Sequence, residues 1–198
     1  MIEQLNPVLK DFRFVLASKS PRRQQLLREF GLQFDVDVRP VEETFPSNLT
    51  ARRAAEHVAG LKADAFQTEE LDAGVMIITA DTVVASNDDI LGKPGDESHA
   101  RQMLQNLSGR SHRVVTAVNL KTRNRQQLFS VETQVFFKEL LPKEIDYYIS
   151  NFKPFDKAGA YGIQEWIGFA AIERINGSYF NVVGLPVHAL YQKLLEWE

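Results

Sequence analysis

The sequence predicts an α/β fold, with a mixed twisted sheet, flanking helices and a cleft between two lobes. Residues 75–80 (VMIITA) form a continuous apolar run, which is typical of a central strand covered on both faces. Within residues 128–137, side chains typical of strands recur at every second position, through Val131, Thr133, Val135 and Phe137. The segment after the GKPG turn repeats apolar residues at helical spacing. Parallel-type and hairpin-type strands together with helices indicate a mixed sheet with helices on its faces.

The first forty residues are predicted to alternate strand, helix and strand. Residues 13–18 (RFVLAS) have the composition of a short buried strand. Ser20 and Pro21 then supply an N-cap hydroxyl and a proline for the first helical position. This helix is expected to stop at Gly31, which readily adopts the left-handed conformation of a helix end. Residues 34–38 follow as a second strand.

A loop and a long helix are predicted before the central strand. The loop covers residues 42–48, and the helix begins near Thr50. Its apolar face carries Ala54, Ala55, Val58 and Ala59. The central strand is expected to end abruptly where Asp81 and Thr82 begin.

The second half continues with turns, strands and helices. Residues 92–95 (GKPG) form a turn, and residues 114–120 and 128–137 are predicted to be a strand pair. Pro142 opens a further helix.

Asn176-Gly177 is a strong hairpin signal between the predicted strands 167–175 and 179–183. A final helix begins near Pro186. With no repeat or obvious linker, residues 1–198 are predicted to form a single domain.

Composition limits the classes of function. The net charge is -3 and the pI is about 5.9, so no global basic field attracts nucleic acid or an anionic membrane. The absence of Cys excludes disulfides, thiolate metal sites and a Cys nucleophile. The chain has neither a run of roughly twenty apolar residues nor a leader-like segment, so we expect a soluble cytoplasmic protein.

A local cluster of cations lies between the first strand and the first helix. It contains Ser18, Arg22 and Arg23 at a predicted helix N-terminus, where free N–H groups and the helix dipole favour an anion. Arginine matches phosphate oxygens in a bidentate way, so the cluster suits a triphosphate. A capped surface helix with solvated arginines is the alternative.

Four further residues are candidates for the chemistry. Asp81, at the predicted carboxyl end of the most apolar strand, is placed to accept a proton from water or to hold a divalent metal. Thr82 beside it is a candidate reader of a base. Lys62 follows an apolar helical face and is a candidate for pointing into a cleft, whereas Lys93 lies in the GKPG turn. The alternatives are a structural Asp, a plain strand-end Thr and, for Lys93, an exposed turn lysine.

Two more candidates lie in loops. Glu43 belongs to an acidic pair, which is more often solvated than catalytic. Gln164 ends the glycine-bearing segment 156–164 (DKAGAYGIQ), and its amide offers the donor and acceptor that a uracil or thymine imide edge requires. The sequence contains no phosphate-loop, dinucleotide-binding or nucleophile-elbow motif, and its four histidines form no HExxH zinc site.

Together these segments resemble the Maf family of nucleotide pyrophosphatases, over nearly the whole chain from about Phe14. The matching motifs are SKSPRR at 18–23, ADTVV at 80–84, GKP at 92–94, LSGRSH at 107–112 and TAV at 116–118. DKAGAYGIQ at 156–164, NGSY at 176–179 and GLP at 184–186 are similar to the branch associated with dTTP and UTP. The sequence departs from many relatives at 165–168 (EWIG), where Trp166 either shapes the base pocket or merely packs.

The resemblance implies a fold like that of the inosine triphosphate pyrophosphatases, a cleft between lobes and a homodimer. It implies that Asp81 is the proton acceptor and that Arg22, Thr82 and Gln164 set base preference. Glu43, Lys62 and Lys93 would complete the catalytic surroundings.

Our hypothesis is that Mg²⁺ or Mn²⁺ bridges the triphosphate and carboxylates including Asp81 or Glu43, while Asp81 activates water. Arg23, with the other cations, would balance charge on the leaving pyrophosphate. The alternative is a nucleotide-binding regulator of cell division without essential catalysis.

Overall fold

The computed structural model of the protein describes residues 2–87 and 89–198. Its strands are β1 (Arg13–Leu16), β2 (Phe34–Val36), β3 (Val75–Ser86), β4 (Asp89–Leu91), β5 (Ser111–Lys121), β6 (Gln126–Phe137) and β7 (Ile172–Asn176). Its α-helices are α1 (Ile2–Leu5), α2 (Pro21–Glu29), α3 (Ala51–Asp64), α4 (Glu97–Leu107), α5 (Pro142–Phe152), α6 (Trp166–Ala171), α7 (Tyr179–Val183) and α8 (Val187–Leu195). Short 3-10 helices cover Pro7–Asp11, Thr68–Glu70 and Ala158–Ala160.

The strands form one mixed sheet in the order β2-β1-β3-β5-β6-β7, with β4 added to the end of β3. β1 pairs with β2 and with β3 in parallel. β5 pairs with β3 and with β6 in antiparallel fashion, and β7 closes the far edge on β6. The predicted mixed α/β class is therefore confirmed.

Helices cover both faces of the sheet. On one face α3 packs against β3 and β5 through small side chains, including Ala55, Ala59 and Ala117, which bring the helix close to the strands. On the other face α2 and α8 pack through Leu27 and Leu190. A third cluster joins α4, α5 and α6 to the ends of β5 and β6.

The longest difference from the sequence prediction is at β3. The strand was expected to end at Ala80, but it continues to Ser86 as a regular strand. The physical reason is its neighbour β5, which pairs with β3 from Ile77 to Ala85 and supplies backbone partners beyond the apolar run. Asp81 therefore lies in the middle of a strand, and its predicted position at a strand tip is wrong.

The other edge of β3 is interrupted, and this interruption positions the site. β1 pairs with β3 only as far as Ile78, and β4 pairs with it only from Val84. Between these points, residues 79–83 have no strand partner on that edge among the described residues. The cleft opens at this gap.

The predicted hairpin at Asn176-Gly177 is wrong. The structure has a single strand there, β7, which pairs with β6, and it has helix α7 immediately after the turn. Ser178 caps α7 by accepting a hydrogen bond from the Asn181 N–H, and the Asn181 side chain donates to Thr133 Oγ1 and to the Val114 carbonyl. These tertiary hydrogen bonds hold the segment as a helix despite its hairpin-like sequence.

Two further segments differ from the sequence prediction. Residues 167–171, predicted as strand, belong to α6, and the short strand β4 was not predicted. None of the helices that the structure describes is both long and apolar enough to cross a membrane.

Candidate active site

An open cleft of about 790 Å³ lies at the gap in the edge of β3. It is lined by seven cationic side chains: Lys19, Arg22, Arg23, Arg39, Lys62, Lys93 and Lys157. Its lining carboxylates are Glu43, Asp81 and Asp156. The cleft is therefore strongly cationic in a chain whose net charge is -3, so it attracts an anion locally.

The structure brings all the residues predicted for the site into this one cleft. They are Ser18, Arg22, Arg23, Glu43, Lys62, Asp81, Thr82, Lys93 and Gln164. They come from the β1–α2 loop, α2, the loop before α3, α3 itself, β3, the loop after β4 and the loop before α6.

The β1–α2 loop has the expected cap. Ser20 accepts a hydrogen bond from the Arg23 N–H at the start of α2, and Pro21 occupies the first turn. The buried Ser18 hydroxyl accepts hydrogen bonds from the Ser20 N–H and from Nη1 of Arg23. The loop is thus held in one conformation at the cleft wall.

Arg23 is buried and donates mainly to the protein itself. Its Nε donates to the Gly184 carbonyl at 2.8 Å, and Nη1 donates to the Ala80 carbonyl at 2.8 Å. Its Nη2 donates to Thr82 Oγ1 at 3.0 Å. Burial lowers the pKa of Arg23, but a guanidinium remains protonated in proteins. Arg23 therefore joins α2, β3 and the end of α7 around a fixed positive charge.

Lys62 lies in the last turn of α3, between two carboxylates. Its Nζ is 2.8 Å from Asp81 Oδ1 and 3.1 Å from Glu43 Oε1. The Lys62 and Asp81 side chains are only 12% and 15% exposed, whereas that of Glu43 is 51% exposed. The inner pair is therefore shielded from bulk solvent, and Glu43 reaches it from the cleft mouth. Lys62 points into the cleft, as predicted.

Asp81 and Thr82 reach the cleft from opposite faces of the sheet. Successive side chains of a strand alternate in direction, so Asp81 faces α3 and Thr82 faces α2. Thr82 Oγ1 is 3.0 Å from Thr116 Oγ1 and also accepts the hydrogen bond from Arg23. Both side chains flank the gap in the strand edge, which allows one ligand to touch both.

The loops on the opposite side of the cleft are tied together. The Gly92 carbonyl accepts a hydrogen bond from the Gly159 N–H at 3.0 Å, which links the GKP turn to the DKAGAYGIQ segment. Lys93 is exposed in that turn, and no described residue forms a hydrogen bond or ion pair with it. Its ammonium is thus available to an anion in the cleft.

Arg22 faces the cleft from α2 and pairs across it. Its Nη1 donates to Asp156 Oδ2 at 3.1 Å, and Lys157 Nζ lies 2.6 Å from Asp156 Oδ1. Burial opposes ionisation of Asp156, but hydrogen bonds from Lys157 and Arg22 lower the pKa of this carboxyl below its ordinary value. Asp156 and Lys157 were not predicted as site residues, although the sequence places them at the start of the glycine-bearing loop.

Gln164 presents an unsatisfied amide oxygen. Its Oε1 is buried, and no described residue donates a hydrogen bond to it. A buried polar atom without a partner is costly unless a ligand satisfies it. Trp166, whose role the sequence left open, packs against Tyr147 with ring centroids 4.9 Å apart and does not line the cleft.

The predicted metal ligands Asp81 and Glu43 are compatible with a divalent cation that also binds substrate. Mg²⁺ in phosphate-transfer sites commonly uses one or two carboxylates together with phosphate oxygens. Within residues 2–87 and 89–198, no group of three His, Asp or Glu side chains is arranged to hold a metal by itself. The donor set fits a cation that arrives with a phosphate ligand, and the cation stays a prediction.

The fold and the site define an α/β protein with a cationic cleft at a gap in its sheet, which suits an anionic ligand. Residues 13–197 match the family model described as Maf-like protein. This chain belongs to that family, and the resemblance drawn from the motifs is confirmed.

Two relatives are similar over almost their entire length. The dTTP/UTP pyrophosphatase of Christiangramia forsetii is 45% identical over 192 residues, which cover 97% of this chain and 97% of the relative. The dTTP/UTP pyrophosphatase of Phocaeicola vulgatus is 49% identical over 187 residues, which cover 94% and 96%.

A solved structure of a nucleoside-triphosphatase / dITP/XTP pyrophosphatase from Mycobacterium abscessus is more distant. It is 15% identical with a TM-score of 0.41 and covers 65% of this chain and 76% of its own.

Proposed function

We propose that this protein is a nucleoside triphosphate pyrophosphatase that hydrolyses dTTP and UTP to the monophosphate and pyrophosphate. The observation that carries the proposal is the shielded pair of Asp81 and Lys62, 2.8 Å apart, inside a cleft lined by seven cationic side chains. Membership of the Maf-like family and two relatives named dTTP/UTP pyrophosphatase support this substrate class.

Asp81 acts as the general base. Lys62 occupies its Oδ1, and no described residue forms a hydrogen bond with Oδ2, which is free to accept a proton from water. The water oxygen bonds to the α-phosphorus while the bond from that phosphorus to the bridging oxygen breaks. The pyrophosphate leaves with the electron pair of that bond, and Asp81 retains the proton until it passes to solvent.

The cationic side chains hold the phosphates and stabilise the charge that develops on the leaving pyrophosphate. Arg22 and Lys93 would contact it directly, because both line the cleft, Arg22 from α2 and Lys93 from the GKP turn. Arg23 is buried in the cleft wall, where its charge and its hydrogen bonds keep Ser18 and Thr82 in place. Preorganised charge of this kind is commonly the largest catalytic contribution in such a site.

Asp81 and Glu43 would hold Mg²⁺ or Mn²⁺ together with phosphate oxygens of the substrate. Such a cation supplies charge neutralisation and orientation of the phosphates when it is bound. Glu43 has the exposure needed to move from Lys62 towards a ligand, since half of its side chain is in solvent.

Base selection belongs to Gln164 and Thr82. The Gln164 amide offers one acceptor and two donors, and the imide edge of uracil or thymine presents an N–H between two carbonyl groups. The buried, unpartnered Oε1 suits that N–H. A purine would place different groups at the same position.

The direct test is pyrophosphate release from dTTP and UTP with Mg²⁺ by the purified protein and by Asp81→Asn. We expect the substitution to lower kcat by about 10²- to 10³-fold, as the loss of one preorganised catalytic interaction does. Asp35→Asn is the matched control, because Asp35 forms an exposed ion pair with Arg13 outside the cleft.

The same experiment separates catalysis from regulation. A wild-type protein that binds dTTP but releases no pyrophosphate would instead be a nucleotide-binding regulator. Near-normal hydrolysis by Asp81→Asn would remove Asp81 from the role of base.

We further propose that the protein works in the cytoplasm as a homodimer, without nucleic-acid or membrane partners. The family resemblance supports the dimer, and the net charge of -3 supports the absence of polyanionic partners. Light scattering coupled to size-exclusion chromatography tests the dimer, and a monomeric mass would contradict it.

A further inference from the structure

Tyr148 lies behind the cleft on α5 and holds the loop that carries Gln164. Its side chain is completely buried. Its hydroxyl accepts a hydrogen bond from the Gly162 N–H at 3.0 Å and donates one to Glu165 Oε2. Gly162 and Glu165 stand on either side of Gln164 along the chain. One phenol therefore holds the loop on both sides of the residue proposed to read the base.

The same hydrogen-bond chain extends to the phosphate side of the cleft. Glu165 Oε1 lies 3.1 Å from Lys157 Nζ, and Lys157 is itself buried. Lys157 contacts one oxygen of Asp156, and the other oxygen of Asp156 accepts from Arg22. The polar side chains from α5 to α2 thus form one continuous path, which we call the Tyr148–Arg22 chain.

Gly162 allows the three side chains around it to pack closely. A Cβ atom at this position would lie 2.8 Å from Gln164 Nε2, 3.1 Å from the Glu165 Cδ and 3.1 Å from the Lys157 Cε. The Gln164 amide nitrogen therefore lies close to Gly162, beside the Glu165 carboxyl carbon and the Lys157 stem. Gly162 and Glu165 are in turn held by the Tyr148 hydroxyl.

An amide that reads a pyrimidine needs such a constraint. In one orientation a Gln side chain accepts from the imide N–H of uracil or thymine, and after a 180° turn its NH₂ can instead donate to the ring nitrogen of cytosine. The composition of the cleft does not distinguish these orientations. The loop that holds the amide must do so.

Resting on the proposed function, we propose that Tyr148 and Glu165 are positioning residues that set the selectivity for uracil and thymine over cytosine. They do so by fixing the Gln164 amide, and through Lys157 and Asp156 they couple that loop to Arg22. Neither side chain lines the cleft, so both act through their neighbours.

The test compares Tyr148→Phe with wild type in pyrophosphate release from dTTP and from dCTP. We expect kcat/KM for dTTP to fall by about tenfold, as for the loss of a hydrogen bond to a charged group. We expect the ratio of kcat/KM for dTTP to that for dCTP to fall by at least about fivefold. The reason is that an amide free to rotate can pair with either the thymine or the cytosine edge.

Tyr147→Phe is the matched control. It is the neighbouring residue on the same helix, its side chain is 48% exposed, and no described residue forms a hydrogen bond with its hydroxyl. We expect it to leave both the rate and the dTTP:dCTP ratio at the wild-type values.

Glu165→Gln provides a second variant in case Tyr148→Phe does not fold. It retains an oxygen that accepts from Tyr148 but removes the charge beside Lys157, and we expect it also to lower the dTTP:dCTP ratio. An unchanged ratio in the folded variants would overturn the inference, even if both rates fell together. A wild-type protein that releases no pyrophosphate from dTTP would instead overturn the proposed function, and the inference with it.

Discussion

The ammonium of Lys62 lies 2.8 Å from one carboxylate oxygen of Asp81. The two residues come from different elements, the last turn of α3 and the middle of β3, and both side chains are largely shielded from solvent. This contact keeps one Asp81 oxygen occupied and directs the other towards the cleft. A second contact, to Glu43 at 3.1 Å, makes Lys62 the cation that the two carboxylates share.

Lys62→Met is expected to lower kcat by about 10²- to 10³-fold, because it removes the group that orients the base. The measurement is pyrophosphate release from dTTP, corrected for the folded fraction of the protein. Lys193→Met is the control, since Lys193 forms an ion pair with Glu196 outside the cleft. Equal rates for Lys62→Met and the control would show that Asp81 does not depend on Lys62.

Substitution by Met is expected to affect the adjacent arginines differently. At Arg23 it should lower the stability of the protein, whereas at Arg22 it should lower the activity. Arg23→Met leaves the buried Gly184 carbonyl without its side-chain donor, and it leaves the Ala80 carbonyl with only the longer 3.4 Å contact from Lys62. We expect the free energy of unfolding to fall by about 3 kcal/mol, because a buried polar group that loses its partner costs about 1–3 kcal/mol. Denaturation by urea measures this loss.

Arg22→Met removes a partly exposed cation and is expected to change the free energy of unfolding by less than about 0.5 kcal/mol. Its kcat/KM for dTTP should fall by about 10²-fold, because a phosphate contact is lost. A stable Arg23→Met protein would contradict the structural role of Arg23. Wild-type kcat/KM in Arg22→Met would contradict the phosphate-binding role of Arg22.

Gly168→Ala is expected to destabilise the protein by about 1–3 kcal/mol, because a Cβ there would overlap the carbonyl group of Ile163. The backbone of α6 or of the loop before it would have to move. Gly60→Ala is the matched control, because Gly60 lies within α3 and a Cβ there meets nothing within 4 Å.

Gly60→Ala should stabilise the protein by about 0.5–1 kcal/mol, since alanine loses less conformational entropy in a helix. Urea denaturation of both variants measures the difference. Similar free energies of unfolding for the two variants would contradict the close packing at Gly168.

His112 is expected to make stability depend on pH. Burial against Phe137 and Tyr161 lowers the pKa of His112 to about 4 from the ordinary 6.5. Between these values the unfolded chain binds the proton and the folded protein does not, so the contribution of His112 to stability is lost as pH falls. From pH 7 to pH 5 this loss should be about 2 kcal/mol.

Urea denaturation at both pH values measures that loss. His112→Phe should remove most of it, whereas His188→Phe, which replaces an exposed histidine of α8, should not. The same pH dependence in wild type and His112→Phe would assign the effect to other groups.

The sequence alone determined several local elements and selected residues that the fold brings together in one cleft. Ser20 and Pro21 specify the start of α2 through cap chemistry, and the apolar run at 75–80 specifies a covered strand, because these signals act within a few residues. The nine residues expected at the site all line one cleft, since the chemistry of phosphate and base recognition restricts the suitable side chains.

Only the tertiary structure decided where those elements end and what holds the site together. β3 continues past Asp81 because β5 supplies backbone partners, and α7 replaces a hairpin because Asn181 bonds to two distant strands. Arg23 is buried because it donates to two carbonyl groups, which lie 57 and 161 residues away in the sequence. Such partners are remote in sequence, and no local pattern encodes them, because their hydrogen bonds form only when the packed sheet brings the segments together.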